Sequence, residues 1–391
     1  MRAGKACAAY TPCIGGIAEA VMKSAFGNGF GFRFNENIAL DKLFGYCYGA
    51  FLLEATGEID GTLIGTITDD GKFTYGGESI SEKEVLKVYE GKLEGVYSCN
   101  IPDTHAPVEN FSYVMNKTSA SNEEQKRKTG APAKPKVLIP AFPGTNCEYD
   151  SAKAMADAGA DPEIIVINNL SAAGIQESVE RFARELKTAQ MVFIPGGFSG
   201  GDEPDGSAKF ITAFFRNAAV KEGVTDLLDH REGLMCGICN GFQALIKLGL
   251  VPYGKIIDTD ESCPTLTYNT ISRHQSKIVR TRISSNKSPW LALTNVGDVY
   301  NVPISHGEGR FYASEELIRK LAANGQIATQ YVDLSGNAST DVRFNPNNSA
   351  YAIEGITSPD GRVFGKMGHS ERWNDGLYKN VPGSYDIKMF E

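Results

Sequence analysis

From Lys136 onward the chain repeats one pattern, a short and wholly apolar run followed by a stretch with helical periodicity. "KVLIPAF" (136–142) precedes the helical "AKAMADAG" (152–159), and "EIIVIN" (163–168) precedes "AAGIQESVERFARELKTA" (172–189). "MVFIPGG" (191–197) and "LMCGIC" (234–239) are further apolar runs, the second leading directly into the helical "NGFQALIKLG" (240–249). Runs this short and this apolar suit strands buried on both sides. Their alternation with helices predicts an α/β fold, a parallel sheet with helices on both faces. In such sheets ligands gather at the carboxyl ends of the strands. "FPGTN", "PGGFSGGD" and "GICNG" each fall at such an end, so they are expected along one rim.

A different kind of sequence precedes this region. "NKTSASNEEQKRKTGAPAKP" (116–135) is polar, mixed in charge and without apolar periodicity, and it reads as an exposed linker. Residues 1–115 before it mix signals: Ile17, Val21 and Ala25 recur at helical spacing, "FGFRFNE" and "AFLLEA" read as strands, and Ser81 with Glu84 forms a capping box. The expected organisation is a small α+β domain (1–115), a linker (116–135) and the α/β domain (136–391), and a chain of 391 residues has room for both. Net charge is −8, which gives no general electrostatic reason to bind nucleic acid or an anionic membrane. The first residues lack the apolar core of a secretory signal and no run is long enough to span a bilayer, so a cytoplasmic location is expected. Eight cysteines are scattered along the chain, and most read as small buried hydrophobes.

Two of them, Cys236 and Cys239, form a C-x-x-C pair. A zinc site would need further ligands, and no second C-x-x-C or H-x3-5-H stands at a suitable spacing, so no metal is expected. A redox pair and a pair of structural cysteines both remain open. Cys239, however, falls at the predicted strand-to-helix turn inside G-I-C-N-G, the thiol counterpart of the G-x-S-x-G nucleophile elbow. A helix N-terminus there supplies backbone N–H donors and positive potential, which favour a thiolate. A thiol nucleophile needs a base and the base an orienting group. His369 in "GKMGHSERW" follows the strand-like "GRVFG", and in an extended segment Glu371 would share its face. "IPGGFSGG" (194–201) and the amide of Asn240 could supply oxyanion donors.

These motifs, in this order, resemble the class I (triad-type) glutamine amidotransferases, and most closely the glutaminase domain of the phosphoribosylformylglycinamidine synthase family. The resemblance runs through "FPGTNCEYDSAKAMADAGA", "FIPGGFSGGD", "GICNGFQALIKLGLVP", "LTYNTISRHQSKIVRTRI", "ISHGEGRF" and "GRVFGKMGHSERW". It implies a class I glutaminase fold, with Cys239 as nucleophile, His369 as base and acid, and Glu371 as its partner. It further implies Gly197 and Asn240 as oxyanion donors, and Gln243 and His306 as residues of the glutamine site. "TPCIGGIAEAVMKSAFGNGFGF" and "LFGYCYGAFLLEA" resemble the closing part of the synthetase module that precedes the glutaminase domain in the large form of these ligases. Glutamine hydrolysis then needs no cofactor. ATP and Mg2+ belong to a synthetase part expected upstream of Met1, which is the expected protein partner in purine biosynthesis. The family usually places prolines beside the histidine, where this chain has Gly368 and Ser370. The competing expectations are a catalytically idle docking module and a C-x-x-C redox protein.

Overall fold

The computed structural model describes residues 3–96, 108–115, 134–198 and 207–391. They fall into two compact units, Met1–Pro102 and Asp103–Glu391. The expected linker lies outside the described residues except for Lys134 and Pro135. Residues 108–115, which the sequence leaves ahead of that linker, pack within the second unit. Phe111 is buried in the large core, its amide donates to Gln330 Oε1 at 2.8 Å, and the Tyr113 amide donates to Ser284 O at 2.8 Å.

In the first unit the helix Gly16–Ala25 buries Ala18, Val21 and Ala25 against Phe32, Phe34, Leu43 and Phe73, a small core with one apolar stripe per element. Its strands Gly31–Phe34, Gly65–Thr68, Lys72–Tyr75 and Glu78–Ser81 form one sheet. The helix Glu82–Gly91 begins at the expected capping box: Ser81 Oγ accepts the Glu84 amide, and Glu84 accepts the Ser81 amide.

The second unit is built on a nine-stranded sheet among the described residues. Its strands are β1 (Lys136–Ala141), β2 (Asp161–Val166), β3 (Met191–Ile194), β4 (Leu234–Ile238), β5 (Gln275–Ile283), β6 (Val299–His306), β7 (Ile327–Tyr331), β8 (Ile353–Thr357) and β9 (Val363–Lys366). The spatial order is β6-β5-β7-β8-β9-β4-β3-β1-β2. The strands β2, β1, β3, β4 and β9 are parallel to one another, as expected. Beyond β9 the pairings turn antiparallel, because β8 and β9 are joined by a short connection that needs no crossover. The helices α1 (Glu148–Asp157) and α2 (Ala172–Leu186) carry the chain outward to β2 and back past β1 to β3. Right-handed crossovers in opposite directions put them on opposite faces.

Helix α3 (Asn240–Leu248) is buried nearly all round, with only Lys247 among its residues more exposed. Phe242 packs closely on β9, where a Cβ at Gly365 would stand 2.1 Å from the ring. Close packing of this kind seats the start of α3 tightly between the ends of β4 and β9. The expectation that most cysteines are buried fails: Cys147, Cys236 and Cys239 are, whereas Cys7 and Cys13 are exposed and Cys47 and Cys263 half-buried, and Cys99 lies outside the described residues. No helix among the described residues is long and apolar enough to cross a membrane.

Candidate active site

Cys239 links β4 to α3 with φ 54° and ψ −107°, a conformation that a residue with a Cβ adopts only under constraint, at a cost of about 1–3 kcal/mol. The constraint is visible on every side. The Cys239 amide donates to Lys366 O at 2.8 Å, and the Gln243 amide donates to Cys239 O at 3.0 Å. The flanking glycines act by close approach: a Cβ at Gly237 would lie 2.6 Å from the Gly241 carbonyl carbon, and one at Gly241 only 2.0 Å from Ile194 O. Strain is therefore stored at the cysteine itself, and its glycine neighbours make room for it. Cys236, three residues before Cys239 and inside β4, is fully buried, unbridged, and its thiol is held well above the usual range by burial. That arrangement is strand packing, with no disulfide between it and Cys239.

His369 enters from the end of β9, the strand beside β4. Its ring is buried, and Nδ1 lies 2.6 Å from Glu371 Oε1, while Nε2 has no hydrogen-bond partner among the described residues. The pair forms by a different route from the extended segment expected: Ser370–Arg372 is a single 3-10 turn, which folds the Glu371 carboxylate back onto the ring. Pro303 O accepts the His369 amide at 2.8 Å and ties the turn to β6. The two strand ends meet at Gly196. A Cβ there would stand in ordinary contact with Cys239 Cβ, at 3.4 Å, but only 2.6 Å from His369 Cε1, so only glycine leaves the ring in place.

A third group at this junction escaped the sequence reading. Cys147, just before α1, is fully buried; its Sγ lies 3.9 Å from His369 Nδ1 and accepts a bond from Arg372 Nη2 at 3.0 Å. The signal was present, since "GTNC" also stands between a strand and a helix. Cys147, His369 and Glu371 bring three ligand atoms within 4.8 Å of one another. With Nδ1 already engaged by Glu371 and a guanidinium aimed at the thiol, the cluster suits proton handling better than a cation.

The electrostatics differ from the expectation of a readily formed thiolate. Burial pushes the Cys239 thiol up to about 12 and Cys147 repels its charge further, outweighing Arg372 and the Asn240 amide, which favour the thiolate. Cys147 is likewise pushed up to about 11 by burial and by Glu371, against the pull of Arg372. Desolvation wins over the helix N-terminus because both thiols are cut off from water. Cys239 thus rests as a thiol donating weakly to Ser305 O at 3.8 Å, and its ionisation needs a base.

The remaining predicted residues surround this centre. Gly197 pairs with Thr145 through Asn146 N–H to Gly196 O (3.0 Å) and Phe198 N–H to Gly144 O (2.8 Å), neither of which uses the Gly197 amide. Asn240 opens α3, with its amide toward Cys239 and its Nδ2 donating to Gln243 Oε1 at 2.9 Å. Gln243 Nε2 donates in turn to Glu308 O at 2.9 Å, so this side chain braces the 306–309 segment against α3. His306 is buried with Nδ1 3.2 Å from Asn269 Oδ1 and Nε2 unpartnered among the described residues; burial, then His369 and His274, hold it down to about 3, so it is neutral.

Residues 134–391 match the CobB/CobQ-like glutamine amidotransferase domain family. The chain is 34% identical over 255 residues to the phosphoribosylformylglycinamidine synthase subunit PurQ of Methanococcus maripaludis, an alignment that covers 65% of this chain and 87% of that one. It is 32% identical over 256 residues to the same subunit of Aquifex aeolicus, covering 65% of this chain and 96% of the relative. A solved structure of PurLQS from Thermotoga maritima aligns with 66% of this chain and 96% of its own, at 24% identity and a TM-score of 0.46. The family match takes in the whole nine-stranded sheet and both strand ends that carry Cys239 and His369, and the chain belongs to the CobB/CobQ-like glutamine amidotransferases, on their phosphoribosylformylglycinamidine synthase branch.

Proposed function

We propose that the chain hydrolyses glutamine to glutamate and ammonia as the amidotransferase part of a phosphoribosylformylglycinamidine synthase in de novo purine biosynthesis. In this reading Cys239 is the nucleophile, His369 the base and acid, and Glu371 the group that orients the ring. One observation carries it: Cys239 is held at a strained turn beside a histidine whose Nδ1 is occupied by Glu371, which leaves Nε2 for proton transfer.

The Cys239 proton passes to His369 Nε2 as Sγ attacks the side-chain amide carbon of glutamine. The negative charge that develops on the amide oxygen is met by backbone N–H groups, for which Gly197 and Asn240 are the candidates. His369 then protonates the departing nitrogen, ammonia leaves, and a glutamyl thioester remains. Water attacks the thioester, His369 takes its proton, and glutamate departs as the proton returns to Cys239. Gln243 and His306 are assigned to the wall of the glutamine pocket. The ammonia would be used by a synthetase partner that amidates formylglycinamide ribonucleotide with ATP and Mg2+; hydrolysis itself asks for no cofactor.

Cys147 is the second reading for the nucleophile, because its Sγ lies 3.9 Å from His369 Nδ1. Glu371 already engages that nitrogen, and Cys147 has no strained turn to present its thiol. Replacing Cys239 with Ala should lower glutamate release by at least about 10³-fold. Release that survives the substitution would overturn the assignment.

A further inference from the structure

Lys366 and Glu354 take no part in the mechanism above, yet neither side chain has any exposed surface. Fully buried charged residues are rare and costly unless other groups satisfy them, so their partners indicate what they are for. Lys366 Nζ is 3.6 Å from Glu354 Oε1, and both reach past each other to the loop that carries His369. Lys366 Nζ donates to Gly368 O at 3.1 Å and to Ser370 Oγ at 2.9 Å. Glu354 Oε1 accepts the Gly368 amide at 2.6 Å, and Oε2 accepts the Thr329 hydroxyl. The residues on both sides of His369 are thereby gripped. A Cβ at Gly368 would lie 2.9 Å from Glu354 Oε1, so the backbone comes as near to the carboxylate as a glycine allows. At the same time Lys366 O accepts the Cys239 amide at 2.8 Å. A single residue is tied to the nucleophile by its backbone and to the base's loop by its side chain.

We propose that the buried Lys366–Glu354 pair is a positioning clamp that sets the His369 ring relative to Cys239, acting through Gly368 and Ser370. The inference rests on the assignment of Cys239 and His369 made above. Its test uses the full chain and the double variant Lys366→Met/Glu354→Gln, which removes both charges at nearly constant volume and leaves no lone buried ion. Three quantities are read: the melting temperature, kcat and KM for glutamine hydrolysis, and the pH midpoint for carbamidomethylation of Cys239 by iodoacetamide, followed on its own peptide by mass spectrometry.

The expected result is a folded double variant whose kcat falls about 10- to 100-fold while KM stays within about twofold, with the alkylation midpoint moved upward. Lys366→Arg, which keeps the charge and donors, should recover part of kcat. A folded double variant with unchanged kcat and alkylation profile, or with a loss carried by KM alone, overturns the clamp. Should the double variant fail to fold, Ser370→Ala removes one contact of Nζ and should lower kcat about threefold with the same upward shift of the midpoint; an unchanged profile there overturns the clamp too. Cys239→Ala assayed in parallel separates the two ideas. Activity surviving in it refutes the nucleophile assignment, whereas its inactivity beside an unimpaired double variant refutes only the clamp.

Discussion

At the carboxyl end of β4 the chain is held by steric fit: a side chain at Gly237 or Gly241 would collide with backbone, and one at Gly196, just past β3, with the His369 ring. At the end of β9, its neighbour in the sheet, the chain is held by charge and hydrogen bonds instead: Glu354, Lys366 and Pro303 O fix the loop, and Glu371 fixes the ring. The difference fits the two tasks proposed for Cys239 and His369. A nucleophile must be presented at one strained angle, and close packing over-determines an angle. A base must shift protons without drifting, and a polar loop allows that while keeping its hydrogen bonds.

The comparison breaks most visibly at the steric end. Gly241→Ala forces a Cβ to within 2.0 Å of Ile194 O, and neither backbone can withdraw. We expect a destabilisation of about 3 kcal/mol, read from urea unfolding, together with loss of glutaminase activity. Glu371→Gln acts at the polar end and should do the reverse. It keeps the volume, leaves the urea midpoint nearly unchanged, and lowers kcat on the order of 10²-fold because the ring loses its orienting charge.

pH separates the two ends further. His306, at the end of β6, is held down to about 3 against an ordinary value of 6.5. Below pH 6.5 the unfolded chain takes up a proton that the folded state refuses, so stability present above pH 6.5 is lost as pH falls toward about 3. The slope for one group is about 1.4 kcal/mol per pH unit, and His306→Gln should retain about 2 kcal/mol more of its stability between pH 7 and pH 5 than the parent. The thiols have the opposite sign: Cys147 and Cys239 are raised from 9.0 to about 11 and about 12, so their share of stability is present below pH 9 and disappears above it. The smallest effect is expected of Cys147→Ala, which leaves the elbow and the His369–Glu371 pair intact and should change kcat by less than about threefold.

The steric end was legible in the sequence and the polar end only in part, and the reason is distance along the chain. G-I-C-N-G carries its cause within five residues, and the strand and helix periods on either side are local as well. The antiparallel half of the sheet was not foreseen, because strands such as β5 mix Lys and Arg with apolar residues and show neither clean alternation nor an unbroken apolar run. His369 and Glu371 were paired correctly but by strand geometry, where the molecule uses a turn. Lys366 and Glu354 gave no signal at all: each is one charged residue in an apolar stretch, and only the pairing of β8 with β9 shows that they meet. Cys147 was overlooked although its strand-to-helix setting matches that of Cys239, because no glycine follows it to mark an elbow.

Two buried thiols near one histidine make the identity of the nucleophile the central claim. A glutamine analogue bearing a chloroketone in place of the side-chain amide traps the attacking thiol, and peptide mapping by mass spectrometry locates the adduct. The account predicts one adduct, on Cys239, formed in Cys147→Ala and absent in Cys239→Ala. An adduct on Cys147 in the unaltered chain, persisting in Cys239→Ala, would contradict it.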